Sequence, residues 1–408
     1  METLGERIRR LRKEKKLTLV EVADGKLSKG MLSLIENGKA QPSMESLQHI
    51  AKQLSVDASE LLGNQQKQEI RALLNKVEDL WKTAFEVEEA KQIKDLIQPF
   101  LTTLTDTYEG ARLLDVFGRC SYIVGDEDYL TYLKGAETIY KRIFLFNELV
   151  HIYIFHANMQ FNNHDYVQSL SIILKVRKDI EEHDWHINKM TQLDLDYFEG
   201  MLYYAVGEYK KGSIKVEEAL SFTSKARIFH KVAELYRLAI MDSIMNKDHE
   251  KRLHYLKKLK QYADFADDEY SQLFVDILNI HYCSSYSHDY EKAFEMISNI
   301  NINNHEDQAF KHFIYVEKGS ILFGLGLYKE ALLELLLWKK NTYVHHPLDI
   351  SLEYRVYAYR ALCYLELGDM KQAQKEIEIG ITLFESLPPT PYKDFTLETY
   401  EKINKLIK

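Results

Sequence analysis

The stretch LSKGMLSLIENGKAQPS, residues 27–43, sets hydrogen-bonding side chains one helical turn apart. Ser28 is a good N-cap, because its hydroxyl can accept from the free backbone N–H groups of a first turn. Leu32 and Ile35 then lie three apart on one face, and Asn37-Gly38 supplies a left-handed stop. Lys29, Gly30, Ser33 and Leu34 are left on the other face. That face carries an ammonium and a hydroxyl that donate hydrogen bonds, a glycine that permits close approach and a leucine for apolar contact. The chemistry on offer is recognition by a helix that packs through its opposite side.

Other reactive-looking groupings give little. Gly324 to Gly326, GLG, follows no strand and reads as turn chemistry rather than a nucleotide loop. Asp126 to Asp128, DED, lacks the glycine and closing glutamate of a calcium loop. His345-His346 has no further ligands at useful spacing, which favours a solvated loop over a metal site. No nucleophile–base constellation is present, so neither an enzyme nor a cofactor or metal is expected.

The elements that hold these residues follow from composition and periodicity. The chain has 408 residues, 46% of them apolar and 28% charged, too long for one ordinary core. No run of about eighteen apolar residues suggests a membrane span. A charged amino terminus without an apolar signal core predicts a cytoplasmic protein. Cys120, Cys283 and Cys363 are far apart and read as small buried side chains in a reducing compartment. Six prolines, four of them after residue 346, predict an all-α chain. Residues 1–63 hold 11 Lys and Arg against 9 Asp and Glu, whereas the whole chain carries −9, so the negative excess lies in the remainder.

Short helices are readable throughout residues 4–62. Leu4, Ile8 and Leu11 form a stripe ringed by Arg7, Arg9, Arg10, Arg12 and Lys13. Thr18 caps a second helix facing inward through Val22 and Ala23, and a turn near Gly25 leads to the Ser28 helix. Ser43 caps a fourth helix with Leu47, Ile50, Ala51 and Leu54 inside, and Asp57 opens a turn with Leu61 and Leu62. Two short helices joined by a tight turn and wrapped by others make the helix-turn-helix plan.

The segments IRRLRKEKKLTLVEVA, LSKGMLSLIENGKAQPS and MESLQHIAKQL closely resemble the phage-repressor-like helix-turn-helix family. The resemblance implies a recognition helix, Ser28 to Glu36, lying in the major groove of double-stranded DNA. Lys29 is then the base-edge candidate, since its ammonium can reach guanine O6 and N7, and Ser33 follows one turn later. Gly30 and Leu34 offer close approach and apolar contact. Asn37 and Lys39 match positions that bind phosphate in the family. Two departures stand out: Leu19 sits where the family usually has a phosphate-binding glutamine, and the segment from Thr18 to Glu36 is one residue shorter than usual. A solvated basic face on a protein-binding helical module is the alternative.

Residues 64–68, NQQKQ, are polar and can serve as a linker or a helix start. Beyond them a repeat emerges. YFEGMLYYAVGEYKKGSIKVEEAL places Gly200, Tyr203, Gly207, Tyr209, Gly212, Val216 and Ala219 at tetratricopeptide offsets, and EKGSILFGLGLYKEALLELL and YRALCYLELGDMKQAQKEI repeat that grammar. Weaker copies centre on Ala157, Ala239 and His281, and the faintest on Gly118. A small residue in each helix of a pair lets the two approach. The reading therefore places a helix-turn-helix domain at 1–63, a linker at 64–70 and a tetratricopeptide superhelical solenoid at 71–408, closed by the cap helix LETYEKINKLIK.

Polar groups on the inner face of such a solenoid are costly unless paired with a ligand or each other. Arg237, Asn279 and Glu317 occupy one repeat position in three successive units, and Asn158, Asn162, Tyr204, Tyr282 and Arg355 fall at other inner-face offsets. Asparagine can both donate to and accept from a peptide backbone. Mutual hydrogen bonding or plain solvation is the competing explanation for each one.

A repressor-like head fused to a long tetratricopeptide array resembles the cytoplasmic peptide-pheromone receptors of Gram-positive bacteria, the Rgg/Rap/NprR/PlcR/PrgX family, and in array length its NprR branch. The resemblance implies a homodimer, or a higher oligomer, that binds a short signalling peptide and controls promoters. Rap-like members instead grip a response regulator, and phage-encoded arbitrium receptors share the plan.

Overall fold

The computed structural model describes residues 3–81, 86–300 and 308–407, and they hold helices and turns with no strand among them. Five helices build the head: α1 (Leu4–Glu14), α2 (Leu19–Ala23), α3 (Lys29–Glu36), α4 (Met44–Gln53) and the start of α5 (Ala58–Leu80). Their starts are the polar residues the sequence offers. Thr3 with Glu6, and Thr18 with Glu21, form reciprocal capping boxes, while the hydroxyls of Ser28 and Ser43 accept from the backbone N–H groups of Met31 and Ser46. Ile8, Leu11, Val22, Leu32, Ile35, Leu47, Ile50, Leu54 and Leu61 close into one core.

Two contacts seat α3 on α1. A Cβ on Gly5 would stand 2.3 Å from the Ile35 carbonyl oxygen, so only glycine allows this approach. Arg12 grips Glu36 at the end of α3 with two parallel bonds, Nε to Oε1 at 2.6 Å and Nη2 to Oε2 at 2.8 Å, and its Nη1 donates to the Leu17 carbonyl at 3.0 Å.

The segment read as a linker, 64–70, is helical, because α5 runs unbroken through it. Glutamine and lysine are good helix formers, and the stripe Ile70, Leu73, Leu74, Val77 carries the helix onward into a core shared with Ala90, Ile93 and Val116. After α6 (Val87–Ile97), a 3-10 turn (Gln98–Thr103), α7 (Tyr108–Val124) and α8 (Tyr129–Arg142), the chain divides into two compact units, Met1–Leu145 and Phe146–Lys408. The division thus falls within the helix array, after its Gly118 repeat.

The second unit continues in helix pairs: α9 (Phe146–Asn162) with α10 (Tyr166–Glu182), α11 (Lys189–Ala205) with α12 (Tyr209–Ala226), and α13 (Val232–Met245) with α14 (His249–Ala266). Next come α15 (Glu269–Ser285) with α16 (Tyr290–Ser298), and α17 (Gln308–Gly324) with α18 (Tyr328–Leu337). A short α19 (Pro347–Tyr354) stands outside the pairing, before α20 (Val356–Glu366) with α21 (Met370–Phe384) and the closing α22 (Pro391–Ile407). Close packing explains the small residues. A Cβ on Gly319 would lie 2.4 Å from Leu335 Cγ, and one on Gly200 would lie 3.0 Å from Val216 Cγ2. The three cysteines are free and buried. No helix among the described residues is long and apolar enough to cross a membrane.

Candidate functional site

The head presents one face of α3. Leu32 and Ile35 are buried beneath it, while Ser28, Lys29 and Gly30 are exposed, Leu34 is 44% exposed and Ser33 is partly so. Asn37 and Lys39 are exposed just past the helix, where Gly38 at φ 66° ends it. Asn37 Nδ2 donates to the Ser33 carbonyl at 2.8 Å, which holds the amide beside the helix end. Neither lysine makes an ion pair among the described residues, so both ammonium groups are available to an anion. Leu19 packs on the head core, which removes it from any phosphate-binding role. The sequence reading missed Met31, 43% exposed on the same helix, and Val20, 61% exposed on α2.

The inner-face residues divide. Asn158 and Asn162 on α9 are partly exposed, and neither side chain has a hydrogen-bond partner among the described residues. Arg237 is partly exposed on α13 and lies over Phe274, its guanidinium 4.6 Å from that ring centre and 5.2 Å from that of Tyr270. It has no carboxylate partner within ion-pair distance among the described residues.

Five residues stand differently from the groove-facing expectation. Tyr204 is 3% exposed, its ring pressed against Gly212 between α11 and α12. Asn279 and Tyr282 turn toward α14: Asn279 Oδ1 accepts from Arg252 Nη1 at 3.3 Å, and the Tyr282 ring lies 3.7 Å beneath the Arg252 guanidinium. The inward side of α15 belongs to Phe274, Leu278 and His281, one position away in phase. Glu317 and Arg355 are buried against each other as an ion pair. A repeat offset places a residue toward the array interior, but a long side chain there can as readily meet the next helix as solvent.

Glu317 is the hub of a buried polar cluster that joins α15, α17, the junction of α19 with α20, and α22. Its carboxylate accepts from Arg355, from the Ser284 hydroxyl and from His281 Nδ1 at 3.1 Å, while His281 Nε2 accepts from the Tyr392 hydroxyl at 2.7 Å. Arg355 Nη1 also donates to Ser285 Oγ at 2.8 Å. Burial by itself raises the Glu317 pKa, but the charge of Arg355 and the hydrogen bonds from His281 and Ser284 outweigh it and hold the carboxyl at about 2. Burial lowers the His281 pKa below its ordinary value, against the pull of Glu317.

Beside this cluster lies a cavity of about 200 Å³. Tyr270, Phe274, Phe310 and Phe313 form its apolar walls, and Asp349 and Glu353, one turn apart on α19, supply its acidic side. The helix α19 reaches this position because it crosses the inner helices of the array, touching α11 and α17 as well as α20 to α22. The loop before it makes distant contacts: Tyr166 donates to the His345 carbonyl at 2.7 Å, and His346 Nε2 lies 3.3 Å from the Met201 carbonyl oxygen. His345 Nδ1 stands 3.4 Å from His164 Nε2, a pair rather than a ligand set. No group of three or more potential metal ligands occurs among the described residues. The signal available for α19 was Pro347 after His346, a helix opening in mid-array.

Residues 8–61 match the helix-turn-helix family, so the class of the head is a helix-turn-helix domain. Over 64 residues the chain is 38% identical to the immunity repressor protein of Bacillus phage phi105. That match covers 15% of this chain and 44% of the phage protein, less than half the length of that relative.

Among solved structures, the chain is similar to Bacillus thuringiensis PlcR in complex with the peptide PapR7 and DNA, at 19% identity over 72% of this chain and 99% of that one, with a TM-score of 0.34. It is also similar to the apo competence regulator ComR from Streptococcus vestibularis, at 16% identity over 78% of this chain and 98% of that one, with a TM-score of 0.29. PrgX, in a Y153C mutant form, is 11% identical over 98% of this chain and all of its own, with a TM-score of 0.18. These superpositions are loose, and the fold stands on the helices described above.

Proposed function

We propose that this chain is a transcription regulator of the peptide-pheromone receptor type, the Rgg/Rap/NprR/PlcR/PrgX family, acting in the cytoplasm. The head binds double-stranded promoter DNA through α3. Lys29 and Ser33 read base edges, Ser28, Gly30 and Leu34 allow close contact, and Asn37 and Lys39 hold phosphates. The inner face of the second unit binds a short signalling peptide, with Asn158, Asn162 and Arg237 as its accessible polar contacts, and two chains act together on paired half-sites. The relatives named above do not single out the NprR branch.

The observation that carries this reading is the exposed face of α3, with one unpaired ammonium group at its start and a second just past its end, on a helix whose other side is locked into the core. It favours DNA over the reading in which the chain grips a response regulator.

The test is selection of bound duplexes from a randomised pool, followed by titration of the preferred site. Lys29→Ala and Ser33→Ala are each expected to weaken the preferred site by about 1–3 kcal/mol and to relax its sequence. Lys39→Ala is expected to weaken all duplexes alike and to flatten the salt dependence. Unchanged site preference and affinity in Lys29→Ala removes α3 as the reading helix, and a single chain on the bound duplex by sedimentation removes the dimer. For the second unit, a pool of synthetic heptapeptides is screened for a change in affinity for that duplex. The response is expected to disappear in an Asn158→Ala/Arg237→Ala variant.

A further inference from the structure

The cavity between α13, α15, α17 and α19 contains charge that the fold does not account for. Asp349 sits in the first turn of α19, where the helix N-terminus favours a carboxylate. Glu353 has no such reason to be there. It lies in the last turn of α19, where the helix dipole opposes it, and it is only 5% exposed. One of its oxygens accepts from Trp338 Nε1 at 3.2 Å, and the other finds no donor among the described residues. Neither carboxylate has an ion-pair partner within 4 Å among the described residues, although Arg237 and His346 are near enough to Asp349 to be felt. Burial, helped by Asp349 and opposed by the Trp338 bond, raises the Glu353 pKa to about 7.

The opposite walls are aromatic. Phe310 meets Tyr270 and Phe274 edge to face with ring centres 5.0 and 5.3 Å away, those two rings are tilted against each other at 5.3 Å, and Phe313 completes the lining. A cavity of about 150 Å³ with such walls suffices to hold a benzene ring. At about 200 Å³ this one has room for a ring and a short stem. Aromatic walls with an uncompensated carboxylate beside them complement an apolar group that carries a cation on its edge.

We propose that this cavity anchors the bound peptide by taking one bulky apolar side chain, with an adjacent ammonium or guanidinium group paired to Glu353 and Asp349. The proposal rests on the peptide-binding reading above and adds the class of peptide: a bulky apolar residue next to a positive charge. Arg237, stacked on the outer rings, stands ready for a carboxylate of the same peptide. The free amino terminus or a basic side chain supplies the cation.

The test uses the full-length chain and para-fluorophenethylamine, with para-fluorophenethyl alcohol as the uncharged counterpart, each titrated by fluorine NMR. At about pH 8 Glu353 is ionised in the empty cavity. The amine is expected to bind about tenfold more tightly than the alcohol, and Glu353→Gln and Asp349→Asn are each expected to cost the amine about tenfold while leaving the alcohol unchanged. Unfolding curves of both isosteric variants establish that they fold. Equal binding of amine and alcohol, binding of neither, or amine binding indifferent to both substitutions overturns the proposal.

Displacement by phenylalanyl-leucinamide, acetyl-phenylalanyl-lysinamide and acetyl-phenylalanyl-leucinamide then identifies the source of charge. The first carries the cation on its terminus, the second on its side chain, and the third carries none. Displacement by all three alike, or by none, overturns the peptide-anchoring role. If heptapeptides still act through Asn158 and Arg237 while ignoring Asp349→Asn, the peptide reading stands and the anchor falls. If the amine binds but no peptide acts, the peptide reading falls with it.

Discussion

Replacing Arg355 with leucine is expected to destabilise the second unit by about 3–5 kcal/mol, because it strands a buried carboxylate. Glu317 is fully buried, and its charge is tolerated only because Arg355, His281 and Ser284 surround it. Without the guanidinium, Glu317 must remain an unpaired buried anion or take up a proton. The double variant Arg355→Leu/Glu317→Leu removes both charges and is expected to recover much of the loss. Urea unfolding of the four members of this cycle measures the coupling, and additive effects would falsify the pairing as a source of stability.

The same cluster predicts a direction for acid sensitivity. The Glu317 pKa is held at about 2, below its ordinary value of 4.5, so the stability it contributes is present above pH 4.5 and lost as pH falls toward 2. His281 is also held below its ordinary 6.5, so acid that charges it in the unfolded chain favours unfolding from that pH downward. Both groups act in the same sense. Arg355→Leu lifts the Glu317 pKa and is expected to flatten the acid limb of the stability profile.

Glu353→Gln is expected to do the reverse, stabilising the chain above neutrality by on the order of 3 kcal/mol in the absence of ligand. The Glu353 pKa is raised from 4.5 to about 7, so between those values the folded chain holds a proton that the unfolded chain has released. Stability therefore falls as pH rises from 4.5 to 7, and the cost is fully present above that range. A glutamine avoids the cost while its oxygen still accepts from Trp338. Thermal unfolding at mildly acid and mildly alkaline pH measures it. The stabilisation should vanish below the ordinary carboxylate pKa, and a pH-independent effect would assign it to packing instead. A group that weakens the empty fold in this way is one that a bound cation relieves.

The helices and their pairing were open to reading because their causes are local. Ser28 caps a turn three residues away, Gly38 ends the same helix, and Gly319 meets Leu335 within one helix pair. The face of α3 was legible for the same reason: 100° per residue fixes which side Leu32 buries and which side Lys29 exposes. The polar segment 64–70 fits a linker or a helix start by composition, and α5 runs through it because glutamine and lysine are at home on a helix surface.

What tertiary structure alone decided is where the long polar side chains of the array terminate. Arg355 and Glu317 sit at offsets that point into the array, yet 38 residues of chain separate two groups whose side chains meet. His281 and Tyr392 meet across 111 residues. The sequence determined the helix-turn-helix head, the helix pairs and the small residues that bring them together, because each depends on neighbours within one or two turns or one hairpin. The choice between a groove residue and a buried pair depends on the path of α19 across the inner helices. That path is set by packing between segments far apart in the chain, and no periodicity records it.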